Sequence, residues 1–362
     1  MNSSDQPAEP PPAVDRNLKM VAMQRAFELA ALGPAHGPNP RVGCVILDAE
    51  DQVIGEGYHQ GRGTAHAEAM ALADARTRHS GSFGQGAGAT GPGVTAVVTL
   101  EPCAHHGHTP PCTKLLRQAG IQRVIAAAAD PNPTAAGGGK YLAEHGVQVE
   151  LDVAAVQARE LNYAWWKAVT SGLPYVTLKL ASSLDGRIAA PDGTSQWITG
   201  LSARAHVHQV RAQVDAIVVG SGTVAADDPA LTARRQDGTL AQTPQPLRII
   251  QGLRSIPPDA AIYGPGGETL HLTTHDPTAV LDTLAKREVR HVLIEGGATL
   301  AGAWLGAGLV DRVLAYVAPV VLGAGLPAIS DFGVKTLDQA ERFATKQVTR
   351  LGQDVLIEAR KD

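Results

Sequence analysis

Residues 99–112 read TLEPCAHHGHTPPC: a strand end runs into Glu101-Pro102-Cys103, and Cys112 follows behind Pro110-Pro111. Upstream stands His66-Ala67-Glu68. Two thiolates and one imidazole make a three-ligand zinc set, and a hydrolytic zinc keeps its fourth position for water. That assigns His66, Cys103 and Cys112 as metal ligands. Glu68, two residues from a ligand, would stand beside the water without binding the metal. It could take the water's proton and hand it to a leaving amine. The prolines suit the first turn of a helix opened by Cys112, and a helix N-terminus helps to hold a thiolate.

Outward from this stretch, helix and strand alternate. Apolar spacing predicts a helix over 16–32, strands over 42–47 and 53–57, and a helix over 64–78. A Gly-rich loop over 80–93 leads to a strand over 94–100, a helix over 112–119 and a strand over 121–128. An edge strand over 147–151 and a helix over 153–169 follow. The alternation implies an α/β layer, in which Cys44 is an apolar strand residue that packs in the core. After Gly172-Leu173-Pro174 a second α/β pattern begins, with strands over 175–181, 216–219, 247–250, 291–294 and 313–317. Its helices fall over 202–213, 277–287 and 299–305. The expected organisation is a disordered tail over 1–15, one domain over 16–150, a connecting helix and linker over 151–173, and a second domain over 174–362.

Composition narrows the function classes. The chain has 362 residues, enough for two to three domains at roughly 150 each. A net charge of −4 argues against nucleic acid or acidic membranes as partners, and 4% aromatics against base stacking. Three cysteines exclude a disulfide scaffold and point to a reducing compartment. No apolar run approaches the ~20 residues of a membrane span. A cytoplasmic enzyme is expected.

In the second half, strand His291–Glu295 passes through Gly296-Gly297 into a helix opening Ala298-Thr299-Leu300. Glycines let a backbone approach phosphate, and the helix start supplies N–H groups, although such turns also occur as plain packing. A second Gly-rich match, Gly86, Gly88 and Gly91, precedes a strand instead of following one, so its context fails. Lys179 sits inside a strand, while Ser195, Arg211, Asp227 and Arg234 add polar groups, of which the arginines could grip a substrate phosphate bidentately. Each arginine taken alone reads first as a solvated surface residue.

The His-x-Glu and Pro-Cys-x8-Cys arrangement is the zinc deaminase pattern in stretched form. With Pro38-Asn39-Pro40-Arg41-Val42-Gly43 and Asp130-Pro131-Asn132-Pro133, it makes residues 16–150 resemble the deaminase half of the bifunctional riboflavin-biosynthesis deaminase/reductases. The second half resembles the reductase half of the same family through Leu178–Arg187, Ser195–Thr199, Gly222–Arg234 and Ile294–Gly297. The resemblance implies a cytidine-deaminase-like three-layer α/β/α domain and a dihydrofolate-reductase-like α/β domain. It implies one Zn2+ per chain, NADPH and a phosphoribosylaminopyrimidine substrate. Apolar surface in the second domain makes a homodimer the expected assembly. Asn39, His105, His108, Asp130 and Asn132 would line the pyrimidine and phosphoribosyl pocket. NADPH would meet Ala181, Trp197, Thr223, Asp227 and the run Gly297, Ala298, Thr299, Leu300, Ala301, Gly302 and Ala303. Ser195, Arg211, Leu231, Arg234 and Glu295 would hold the substrate, with Lys179 and Asp227 as polar candidates near the reacting carbon.

Two departures stand out. The family often has Lys where His108 stands, which would make a phosphate contact there pH-sensitive. It usually has Asp, often then Ser, where this chain has Gln251-Gly252. Two other readings remain open at this level: a nucleic-acid or nucleoside deaminase with a non-reductase second domain, and a zinc-stabilised scaffold without turnover.

Overall fold

The computed structural model describes residues 16–78, 93–105 and 110–361. The expected tail, Gly86, Gly88, Gly91 and His108 lie outside the described residues. The chain forms two compact units: residues 1–35 with 39–170, and residues 36–38 with 171–362.

The first unit runs α1 (Arg16–Ala31), β1 (Gly43–Leu47), β2 (Val53–Tyr58), α2 (Ala67–Arg78), β3 (Thr95–Val98), α3 (Cys112–Gln118), β4 (Arg123–Ala126), α4 (Gly138–Glu144), β5 (Gln148–Glu150), α5 (Ala155–Leu161) and α6 (Tyr163–Ser171). The strands form one sheet in the order β2-β1-β3-β4-β5. Alternation along β1 creates two cores. Cys44 and Ile46 pack with Ala67, Ala71 and Leu72 of α2 and Leu116 of α3. Val45 and Leu47 pack with Met23, Ala26 and Phe27 of α1. The result is a three-layer α/β/α sandwich, with Cys44 in the core. A Cβ at Gly57 would come 2.4 Å from the Ala71 nitrogen, so glycine is what seats α2 hard against β2. The stretch expected as a connector is instead two short helices. Ala158, Leu161 and Trp166 pack on the α1 core, because those apolar side chains find cover there.

The second unit contains β6 (Tyr175–Ser183), β7 (Arg187–Ala189), α7 (Leu201–Arg211), β8 (Ala216–Gly220), α8 (Ser221–Asp227), β9 (Leu247–Gln251), β10 (Thr269–Leu272), α9 (Pro277–Lys286), β11 (His291–Glu295), α10 (Ala298–Gly306), β12 (Arg312–Ala318), β13 (Leu326–Pro327), β14 (Ala344–Leu351) and β15 (Asp354–Arg360). The main sheet has the order β10-β9-β8-β11-β6-β12-β15-β14. Its pairings are parallel from β10 to β12 and antiparallel through β15 and β14. One face carries α9 and α10, with Leu281, Leu284 and Trp304 on Val218, Ile249 and Ile294. On the other face Val224 of α8 packs on Val219 and Leu293, and Val207 of α7 on Leu314 and Tyr316. Strands buried on both faces read as continuous apolar runs, as AIVVG of β8 does.

Candidate active sites

In the first unit, His66 immediately precedes α2 and Cys112 is the first residue of α3. Cys103 lies in the segment leaving β3. His66 Nδ1 stands 3.3 Å from Cys112 Sγ and 3.6 Å from Cys103 Sγ, and the three donor atoms lie within 4.8 Å of one another. Tetrahedral zinc bonds of about 2.0–2.3 Å place ligand atoms about 3.3–3.8 Å apart. The donor set and its spacing therefore fit zinc with one position left over. The Cys112 amide donates to Cys103 Sγ at 3.4 Å. Hydrogen bonding between the thiols draws Cys103 down to about 4 and pushes Cys112 up, so one proton serves the pair. A divalent cation between them would displace that proton.

Glu68, in the first turn of α2, is 4% exposed and reaches the same thiols. Burial, then the charge of Cys103, pushes its carboxyl up. A carboxyl raised toward neutrality can both accept and return a proton.

The loop after β4 is brought over this cluster by Glu101. Its Oε2 accepts from the Asp130 amide at 2.9 Å, and its Oε1 from the Gly139 amide at 2.7 Å. A Cβ on Gly138 would fall 1.7 Å from the Pro102 carbonyl oxygen. Asp130 Oδ1 accepts from the Asn132 amide and Asn132 Oδ1 from that of Thr134, so both residues form the loop's turns. Burial pushes Asp130 up to about 6, with Glu101, Cys103 and His105 all within electrostatic reach.

His59 is a residue that sequence reasoning missed. Its Nδ1 faces the Ala65 carbonyl at 3.1 Å and its Nε2 the Asn39 amide nitrogen at 2.8 Å. The carbonyl fixes the proton on Nδ1, so Nε2 accepts from Asn39 and leaves the Asn39 Oδ1 to accept from a ligand. A lone histidine at a strand end carries no spacing signal that would reveal this.

In the second unit, a cleft of about 560 Å³ opens along the carboxyl ends of the parallel strands, where such sheets bind ligands. Lys179, Ala181, Ser195, Trp197, Arg211, Thr223, Asp227, Leu231, Arg234, Glu295 and Gly297 all line it. The run Ala298–Ala303 does not. It opens α10 directly after Gly297, with Leu300 and Ala301 packed in the core, Gly302 closed on the Ser330 backbone, and Thr299 exposed.

Gly297 donates its amide to Thr223 Oγ1 at 3.1 Å. A Cβ on Gly296 would lie 2.6 Å from Leu300 Cδ2, so a larger residue there would have to move that leucine. Arg211 grips Glu295 with both Nε (2.6 Å) and Nη2 (2.8 Å). Arg211 lowers the Glu295 carboxyl against the effect of burial. Lys179 pairs with Glu295 across β6 and β11, and burial lowers its ammonium. Trp197 is 67% exposed, with the Arg204 guanidinium 4.3 Å over its ring.

The Gln251-Gly252 corner is explained by packing. Gln251 accepts from Trp304 Nε1 at 2.9 Å and donates to the His275 carbonyl. Gly252 has φ +137°, and a Cβ there would strike Ser221 Oγ at 2.2 Å. The Gln251 side chain is thus spent inside the fold.

Known proteins were compared with these two sites. The cytidine and deoxycytidylate deaminase zinc-binding region matches residues 17–128, and the RibD C-terminal domain matches residues 174–357. The riboflavin biosynthesis protein RibD of Mycobacterium tuberculosis is 46% identical over 321 residues, covering 88% of this chain and 90% of that protein. Its Escherichia coli counterpart is 40% identical, covering 92% and 97%. Among solved structures, Acinetobacter baumannii RibD superposes with a TM-score of 0.83 at 38% identity, over 96% of this chain and 99% of that one. The Thermotoga maritima diaminohydroxyphosphoribosylaminopyrimidine deaminase/5-amino-6-(5-phosphoribosylamino)uracil reductase reaches 0.85 at 31% identity, over 96% and 99%.

Proposed function

This chain belongs to the RibD family of bifunctional riboflavin-biosynthesis deaminase/reductases, and from that premise we propose the chemistry of each half. The first unit removes the exocyclic amine of 2,5-diamino-6-(5-phosphoribosylamino)pyrimidin-4-one. The second reduces 5-amino-6-(5-phosphoribosylamino)uracil to its ribitylamino product with NADPH.

In the first unit His66, Cys103 and Cys112 hold one zinc ion, which when bound supplies Lewis-acid activation of water. Glu68 takes the proton of the attacking water and returns it to the departing ammonia. Asn39, oriented by His59, accepts from the pyrimidine, and the Glu101-clamped loop carries Asp130 and Asn132 to the substrate. The observation that carries this reading is one thiolate–imidazole–thiolate cluster with a buried carboxylate beside it.

In the second unit Ala181, Trp197, Thr223, Asp227 and the run Gly297, Ala298, Thr299, Leu300, Ala301, Gly302 and Ala303 would hold the nicotinamide nucleotide, which when bound supplies the hydride. Ser195, Arg211, Leu231, Arg234 and Glu295 hold the phosphorylated substrate, its phosphate against the arginines, and the cleft's main contribution is orientation. Lys179 is the candidate to supply a proton near the reacting carbon. Fully paired Gln251 leaves only backbone for the cofactor at that corner. A homodimer is the expected assembly and the cytoplasm the expected setting. Among the described residues no helix is long and apolar enough to cross a membrane.

The test is to supply the diaminopyrimidine substrate to zinc-loaded protein, follow ammonia, then add NADPH and follow its absorbance. Ammonia first, with NADPH consumed only by the deaminated product, is the expected order. Zinc-loaded protein that releases no ammonia would remove the deaminase assignment.

A further inference from the structure

Three basic side chains, two arginines and a histidine, converge on Thr232 in the second unit's cleft. Arg211 Nη1 donates to the Thr232 carbonyl at 3.2 Å, and His208 Nδ1 meets the same oxygen at 3.1 Å. Arg234 Nε donates to Thr232 Oγ1 at 3.0 Å. All three line the cleft, but their charges are not equally available. Arg211 is already answered by its bidentate pairing with Glu295. Arg234 spends its bonds on Thr232 Oγ1 and the Gly238 carbonyl, and among the described residues it makes no ion pair. A phosphate monoester, with a second pKa of about 6, is close to a dianion at neutral pH. Arg234 alone leaves roughly one of its charges unmatched. His208 lies one turn before Arg211 on α7, on the same face. Because Nδ1–H is committed to Thr232, the nitrogen left to titrate is Nε2.

We propose that His208 is the titratable member of the phosphate subsite, taking up a proton when a phosphorylated substrate binds and thereby setting the pH dependence of that binding. This deepens the assignment of Arg211 and Arg234 to the substrate phosphate, and rests on it. The groups facing His208 are Arg211 on its own helix, Arg234 on the Thr232 loop and Glu295 on β11. Arg204, one turn earlier, lies over the Trp197 ring. Burial first, then Arg211 and Arg234, hold the imidazolium below its ordinary pKa against the opposing pull of the Thr232 bond and Glu295. The unliganded ring is therefore mainly neutral at pH 7. A dianion set among these groups reverses the local field and raises that pKa. Binding then draws a proton from solvent, and affinity falls as pH rises through the window between the free and bound values.

The test is calorimetric titration of the full chain with ribose 5-phosphate between pH 6.5 and 8.5, in buffers of different ionisation enthalpy. His208→Gln, His208→Lys and Arg234→Gln are run in parallel, with NADPH binding as the check of folding. The wild type is expected to take up a fraction of a proton near pH 7 and to weaken about tenfold by pH 8.5. His208→Gln should bind weakly with no uptake, and His208→Lys should bind with little pH dependence. Arg234→Gln should weaken binding at every pH. His208→Gln with wild-type uptake and pH profile, while Arg234→Gln is weakened, would overturn the role of His208 and leave the phosphate site standing. No loss of affinity in Arg234→Gln would overturn the phosphate site, and the proposal with it.

Discussion

The two sites of this chain are built in opposite ways. In the first unit four chemically demanding side chains come from two short motifs, held by the starts of two helices against one sheet. In the second, the cleft draws on β6, the 195–199 segment, α7, α8, the 229–234 loop and β11, spread over more than a hundred residues. A metal site demands few donors at fixed separations, so its chemistry is written in local spacing. A nucleotide and sugar-phosphate cleft demands a surface, and each contributor is an ordinary residue until the fold brings the set together.

That contrast can be broken at its most concentrated point. Glu68→Gln should lower deamination by about 10³-fold or more while zinc, measured by metal analysis, stays bound. Loss of the metal instead would make Glu68 part of the ligand shell. In the dispersed site the largest effect is on stability. Arg211→Ala strips the buried Glu295 carboxylate of its two-bond partner and leaves Lys179 and His208 as the nearby basic groups, and should cost up to about 3–5 kcal/mol, read as an earlier unfolding transition of the second unit. An unshifted transition would mean the pair is not buried in solution.

A smaller step tests the loop that covers the metal cluster. Gly138→Ala, whose methyl would overlap the Pro102 carbonyl, should reduce deamination by about 10²-fold through displacement of Asp130 and Asn132. NADPH oxidation with deaminated substrate is the internal control, and equal loss of both activities would contradict a local effect. The gentlest test is acid titration of the second sheet. His291 is fully buried and bonded to Thr177 Oγ1 at 2.8 Å, and burial pushes it down to about 3 from 6.5. The unfolded chain binds this proton first, so the contribution is intact above pH 6.5. It falls as pH drops toward 3, by up to about 1.4 kcal/mol per unit. Denaturant unfolding between pH 7 and 5 measures that slope, and His291→Gln should flatten it.

How much could be read in advance follows the same division. Every element of the first sheet was legible because β1, β3 and β4 are short apolar runs, and the metal cluster because His66, Glu68, Cys103 and Cys112 have few other uses in that pattern. Short α4 was missed because Gly138 and Gly139 weaken any helix signal, although their smallness is what lets the loop reach Pro102. In the second unit the hairpin β14–β15 was missed: residues such as Lys346, Gln347 and Thr349 lie on a solvent-facing edge and leave no apolar alternation. A glycine turn entering a helix looks alike in sequence whether the helix start faces a ligand or a core; here Leu300 and Trp304 fill the core while Thr299 stays exposed. His59 and His208 were beyond spacing arguments altogether, since each gains its meaning from one backbone carbonyl, Ala65 or Thr232.

Two independent chemistries lie on one chain and act in order. Zinc is removed by chelation and NADPH is then presented with either the diaminopyrimidine substrate or its deaminated product. No ammonia and no NADPH oxidation are expected with the first, and undiminished NADPH oxidation with the second. NADPH oxidation on the diaminopyrimidine without ammonia release would overturn that order.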